Sequence, residues 1–260
     1  MSNSSWQKDG SDRRVWGVVG GMGPVASAEF LRTVYQCWAG EREQDAPVVY
    51  LISDPTIPDR TECLLHGRDR ELVTKLSTVI SRLSLLDVTD VVICCITVHY
   101  LLDRLPEGVA RGVISLVDTA LDSVLKSGQR HLMICTEGTR HLRLFERHPL
   151  WARVEDRIVM PDEIDQRAIH QLIYQVKANH HLPEHLSYLD DLLLKYRLDS
   201  LLVGCTDIHS LLRGRHFTCQ TDYTWSYIDP LLIVAKEIAR GQELSTAVAH
   251  DAAGASLTSF

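Results

Sequence analysis

The sequence predicts an α/β protein of two similar lobes, each built on a parallel sheet, with the functional site in the cleft between them. Three observations predict this. Short apolar runs alternate with amphipathic stretches along most of the chain, the pattern of parallel strands joined by helices. The pattern restarts near residue 131. Each half also holds an apolar run that ends in a cysteine with a histidine four places on: DVVICCITVH at 90–99 and DSLLVGCTDIH at 199–209.

VWGVV at 15–19 is a short continuous apolar run, as a strand buried on both faces requires. The turn GGMGP at 20–24 follows, and SAEFLRTVYQCW at 27–38 continues at helical spacing. APVVYLISDP at 46–55 is a second strand, ended by DPTIPDR at 54–60, whose two prolines force an irregular loop. RDRELVTKLSTVISRLSLL at 68–86 is an amphipathic helix with Leu72, Leu76, Val79, Ile80, Leu83 and Leu86 on one face. TDVVICC at 89–95 is a third strand, HYLLDRL at 99–105 starts a helix, and GVISLVDTALDSVLKSG at 112–128 is a short strand and a helix. In the second half, RHLMICTEGTR at 130–140 is a strand and a polar loop, and RLFERH at 143–148 begins a helix. DRIVMPDEIDQRAIHQLIYQVKAN at 156–179 gives a short strand, a Pro-Asp turn and a helix, and HLSYLDDLLLKYR at 185–197 is another helix. DSLLVGCTDIHSLLR at 199–213 is strand, loop and helix, and SYIDPLLIVAKEIARG at 226–241 is a strand end and a last helix. The first lobe is expected at 15–116 plus 216–241 and the second at 117–215, with a polar tail at 1–14 and a loose one at 242–260.

The totals narrow the function. A chain of 260 residues with 45% apolar content can bury a large core. Its net charge of -7 leaves no basic stripe for nucleic acid. No apolar run reaches the roughly 20 residues of a membrane helix, and no secretory signal opens the chain. The seven cysteines are odd in number and scattered, which suits reduced thiols in a cytoplasmic protein.

A thiol at the start of a helix faces the positive end of the helix dipole, so its pKa is expected to fall. One thiolate can then act as base while a thiol opposite acts as acid. A substrate held between Cys95 and Cys205 could lose a proton on one face and gain one on the other, with no cofactor. Any single cysteine at a strand end is more often packing than chemistry. Cys37, Cys63, Cys135 and Cys219 take that ordinary role, as does Cys94, which alternates in direction with Cys95. Only the matched contexts of Cys95 and Cys205 lift that pair above it. The two Cys-x3-His units could alternatively supply four zinc ligands, though such ligands usually lie closer in sequence.

GVVGGMGPVAS (17–27), DPTIPDRT (54–61), CITVH (95–99), TEGTR (136–140), VKA (176–178), GCTDI (204–208) and IDP (228–230) occur in an order that resembles the aspartate/glutamate racemase superfamily, in particular its cofactor-independent aspartate racemases. The resemblance implies two Rossmann-like lobes with the site between them, in a homodimer acting on an acidic amino acid, with no cofactor and no metal. It implies Cys95 and Cys205 as the acid/base pair, each serving one enantiomer. Met22 and Gly23 would line the pocket, and Arg60 would grip a substrate carboxylate with its planar fork. Thr97, Thr136, Gly138, Thr139 and Thr206 would supply hydroxyls or backbone donors, and Lys177 would hold the side-chain carboxylate.

Four positions depart from the family pattern. Where the family usually has C-N-T-A-H this chain has CITVH, so Ile96 replaces an asparagine that would bond the substrate carboxylate. A lost bond of that kind costs about 1.5–3 kcal/mol. Cys94 replaces a proline, Asp54 stands in place of an asparagine, and Glu137 adds an acid beside the second-lobe turn. These changes leave the proton-transfer pair and alter recognition. Besides an aspartate or glutamate racemase, a racemase, isomerase or decarboxylase of another substrate and a non-catalytic binding relative remain open.

Overall fold

The computed structural model describes residues 14–110, 112–180, 183–217 and 225–241. Residues 1–13 of the first expected tail, the whole of the second and Cys219 lie outside them. The chain runs β1 (Val15–Gly20), α1 (Pro24–Cys37), β2 (Val48–Ser53), α2 (Arg60–Leu65), α3 (Asp69–Ser84), β3 (Asp90–Ile93), a 3-10 helix (Thr97–Arg104), α4 (Glu107–Ala110), β4 (Val113–Ile114) and α5 (Leu116–Ser127). It continues with β5 (His131–Cys135), α6 (Glu137–His141), β6 (Ile158–Val159), α7 (Glu163–Lys177), α8 (Pro183–Tyr196), β7 (Ser200–Gly204), α9 (Asp207–Phe217), β8 (Ser226–Ile228) and α10 (Pro230–Arg240).

Two four-stranded sheets result, in the orders β2-β1-β3-β4 and β6-β5-β7-β8, and every pairing is parallel. The second order repeats the first, so the restart near residue 131 is a repeat of topology. No helix among the described residues is long and apolar enough to cross a membrane.

The period-two alternation of the strands divides the core. Val18 of β1, Val92 of β3, Met133 of β5 and Leu202 of β7 face one another in a cluster shared by both sheets. Their neighbours Val19, Val91 and Ile93 face α3 in the first lobe, and Leu132, Ile134, Leu201 and Val203 face α7 to α9 in the second. Cys94 joins the shared cluster while Cys95 turns to the first lobe's outer cluster, as the alternation predicted. Cys205 takes the corresponding outer side in the second lobe. The two site cysteines are thus equivalent by sheet position and by face.

Several elements differ from the sequence expectation. Residues 226–228 form β8 beside β7, so this part of 216–241 belongs to the second sheet. The helix after it, α10, packs back on α1, because its buried stripe Leu231, Val234, Ala235 and Ile238 completes the shared core. HYLLDRL forms a 3-10 helix, whose three-residue turn suits the buried pair Val98 and Leu101. RLFERH is a run of turns, because Arg143 adopts φ 51 and Pro149 follows. TEGTR is the start of a helix, capped by the Thr136 hydroxyl accepting from the Thr139 N–H at 3.2 Å. On α3 the face from Leu72 to Leu83 is buried, each such side chain contributing about 1.5–3 kcal/mol. Leu86 lies past the helix end and is 42% exposed.

Candidate active site

Both sheets end at the same seam between the lobes. Cys95 follows β3 and Cys205 follows β7, the second central strand of each sheet, and each residue is 6% exposed. Each lobe reaches across to the other's cysteine loop. Gly23, at the N-cap of α1, faces Asp207 so closely that a Cβ there would sit 2.3 Å from Asp207 Oδ1. Gly138, in α6, packs on Thr61, whose Oγ1 would lie 2.6 Å from such a Cβ. A side chain at either position would force its neighbour to shift. The Thr206 hydroxyl donates to the Cys94 carbonyl at 3.1 Å. Thr97 Oγ1 lies 2.9 Å from Thr139 Oγ1 and 3.3 Å from Thr136 Oγ1, so three hydroxyls of both lobes meet beside the Cys95 loop.

Arg60 is the first residue of α2, and Asp59 caps that helix by accepting the Glu62 N–H at 2.9 Å. The buried guanidinium donates to the Met22 carbonyl at 2.9 Å and the Pro58 carbonyl at 3.1 Å. Its Nε is buried without a hydrogen-bond partner. Burial alone would weaken this charge; Cys95, Asp59 and Asp207 around it more than offset that and keep it cationic.

Around Cys205 the balance differs. Its thiol donates to Asp207 Oδ2 at 3.4 Å, and Lys177 Nζ lies 4.0 Å from the same oxygen. Burial pushes the Cys205 thiol well above its ordinary value, and the Asp207 carboxylate adds to this while Lys177 opposes it. A negative charge on Cys95 raises it further, which favours one thiolate at a time. The lowered pKa expected from the helix dipole is therefore overturned at Cys205 by desolvation. Burial likewise raises the Asp207 carboxyl, against the pull of Lys177. Replacing Asp207 by Asn removes a charge that holds the Cys205 proton. Alkylation of Cys205 by iodoacetamide at pH 8, followed by peptide mass spectrometry, should accelerate about threefold or more, since the thiolate is the reacting form. An unchanged or slower rate would contradict this account of Cys205.

The two histidines differ. His99 Nε2 accepts the Leu116 N–H at 3.1 Å, so Nδ1 carries the proton and donates to the Cys95 carbonyl at 3.0 Å. Burial keeps this ring neutral. His209 Nδ1 lies 2.6 Å from Asp229 Oδ2 and its Nε2 3.0 Å from Thr33 Oγ1. Both rings brace backbone or helices, and among the described residues no group of three or more His, Cys, Asp and Glu is placed to hold a metal ion. The zinc alternative loses its ligand geometry.

Of the remaining expected site residues, Met22 supplies its carbonyl to Arg60 while its side chain packs in the first-lobe core. Asp54 spends its carboxylate on the Thr56 N–H at 3.0 Å and hydroxyl at 2.6 Å, closing the turn of the proline loop. Ile96 is packed in the core shared by the two sheets. Asp54 and Ile96 therefore stand apart from the cluster of charges. Three residues of that cluster, Asp59, Tyr174 and Asp207, were not singled out by the sequence. Asp59 carried a signal, since Asp-x-x-Glu is the spacing of a capped helix start. Asp207 sits two places after Cys205, where the other lobe has Thr97 after Cys95.

A family model described as Asp/Glu/Hydantoin racemase matches residues 19–238. The chain belongs to this racemase family. The solved structures similar to it include an aspartate racemase of Picrophilus torridus, 23% identical, with a TM-score of 0.74 over 89% of this chain and 96% of that one. A glutamate racemase of Campylobacter jejuni subsp. jejuni is 13% identical, with a TM-score of 0.54 over 89% of this chain and 87% of that one. An allantoin racemase from Klebsiella pneumoniae is 14% identical, with a TM-score of 0.53 over 89% and 90% of the two chains. At these identities the likeness is one of fold. Within this racemase family fold, the Cys95 and Cys205 loops face each other with a cation beside each: Arg60 and Lys177.

Proposed function

We propose that the chain is a cofactor-independent amino-acid racemase that interconverts the L and D forms of an acidic amino acid, aspartate before glutamate, through Cys95 and Cys205. The observation that carries this is the equivalence of the two thiols: same strand position, same face, opposite lobes, one cleft. The family match and the likeness to an aspartate racemase support it.

With the α-carbon between the sulfurs, the thiolate of Cys95 takes the α-proton from one face. Cys205, held as a thiol by burial and Asp207, gives its proton to the other face. The product has the opposite hand, Cys95 is now a thiol and Cys205 a thiolate, and the reverse reaction restores the first state. Arg60 suits a carboxylate through its unpaired Nε and its fork. Lys177 suits a second carboxylate, and the Thr97, Thr136 and Thr139 hydroxyls can donate to charge that develops as the proton leaves. Mirror-image substrates have equal free energy in water, so kcat/KM must be equal in the two directions. The unlike surroundings of Cys95 and Cys205 can appear only as different kcat and KM values taken separately.

Asp207 favours a second reading, a less acidic substrate on the same machinery, since it adds negative charge beside Cys205. Chiral chromatography of aspartate, glutamate and a panel of neutral amino acids, incubated with purified protein and no added cofactor, separates the two. Racemisation of aspartate above all others is the expected result. Turnover of a neutral amino acid alone would transfer the activity to the second reading, and no racemisation of any would refute both.

A further inference from the structure

Tyr174 lies on α7, in the second lobe, yet its hydroxyl donates to Asp59 Oδ2 in the first lobe at 2.7 Å. Asp59 is already the cap of α2, the helix whose first residue is Arg60. The Tyr174 ring also holds the other cation of the cleft: Lys177 Nζ lies 4.5 Å from its centroid, within cation–π range. His170 packs against the ring, with centroids 4.5 Å apart. One side chain therefore touches the helix start that carries Arg60 and the ammonium of Lys177, on opposite walls. Its chemistry suits a permanent contact. Burial and the Asp59 carboxylate raise the phenol above its ordinary range, so it remains a donor at neutral pH. Although burial alone would raise the Asp59 carboxyl, the Glu62 N–H, the Tyr174 hydroxyl and the charges of Lys177 and Arg60 hold it low, so it remains an acceptor.

We infer that Tyr174 and Asp59 form an inter-lobe clasp that fixes the separation of Arg60 and Lys177, and thereby the length of the dicarboxylic amino acid the cleft accepts. Tyr174 is a positioning residue in this account; it acts through the two cations and holds no reacting proton. The inference rests on the racemase assignment for its substrate and on geometry alone for the clasp.

Tyr174→Phe keeps the ring between Lys177 and His170 and removes only the hydroxyl. KM for L-aspartate should rise about tenfold, the loss expected of one hydrogen bond to a charged acceptor, with kcat within about threefold. The preference for aspartate over the longer glutamate, as a ratio of kcat/KM, should fall about fivefold or more. Asp59→Asn keeps the helix cap, and the double variant should be no worse than the poorer single one, because the Tyr174–Asp59 bond can be lost only once. Penalties that simply add, or a lower thermal stability with unchanged KM and unchanged preference, would overturn the clasp. Hydrogen–deuterium exchange separates its failure from that of the racemase assignment, since it needs no substrate. In unliganded Tyr174→Phe the amides of α2 should exchange about fivefold faster or more while those of α10 stay unchanged. If wild type does not turn over aspartate, the assignment falls and exchange alone decides the clasp; α2 protection equal to wild type would refute it.

Discussion

Cys95→Ala and Cys205→Ala should each reduce racemisation about a thousandfold or more, while both variants stay folded. General acid–base groups contribute roughly 10²–10⁴ in rate, and alanine offers neither form. Each cysteine lies at the edge of a core cluster and is 6% exposed, so losing its sulfur costs only about 1 kcal/mol of stability. The two variants should also fail differently. With Cys205 removed, Cys95 can still take a proton from one enantiomer and return one to the same face. In D2O that variant should exchange the α-proton of a single enantiomer without inverting it, and Cys95→Ala should do so for the opposite enantiomer. Circular dichroism confirms folding, and NMR with chiral chromatography reads the exchange. Full racemisation in either variant would remove the two-thiol mechanism.

Arg60→Lys should lower kcat/KM for an acidic substrate about a hundredfold or more while leaving the positive charge in place. The guanidinium serves the Met22 and Pro58 carbonyls with some donors and still has Nε to offer. An ammonium has three donors and no planar fork. To reach a substrate carboxylate it must desert the Met22 carbonyl, which lies in the turn whose Gly23 abuts Asp207. Losing such a hydrogen bond from a charged donor costs about 1.5–3 kcal/mol. A KM within about threefold of wild type would mean that Arg60 only braces the loops.

Much of the fold was legible because the strands are buried on both faces and so read as plain apolar runs. β1, β3, β5 and β7 were all visible this way, and so was the opposite orientation of Cys94 and Cys95. What sequence reasoning missed depends on contacts between distant parts of the chain. β8 has only three residues, and only its pairing with β7 reveals its sheet. The Tyr174 hydroxyl meets Asp59 across the cleft, and nothing in the spacing of either residue announces the other. Asp207 gains meaning only when Gly23 and Lys177 are placed beside it. Ile96 was expected to face a substrate because of its position in CITVH, yet an apolar side chain beside the shared core packs there instead. The Cys-x3-His repeat was a true sign of the duplicated strand–cysteine unit. Its histidines serve different tasks, His99 tying the Cys95 carbonyl to the start of α5 and His209 tying α9 to α1 and α10.

The central claim, inversion by two thiols on opposite faces, is tested most directly by the earliest product formed from L-aspartate alone in D2O. The two-thiol account predicts that the first D-aspartate carries deuterium at the α-carbon while the remaining L-aspartate still carries hydrogen, because the thiol opposite has already exchanged with solvent. Loss of the α-proton from L-aspartate running ahead of D-aspartate formation would contradict it, since a single group would then be removing and returning the proton on one face.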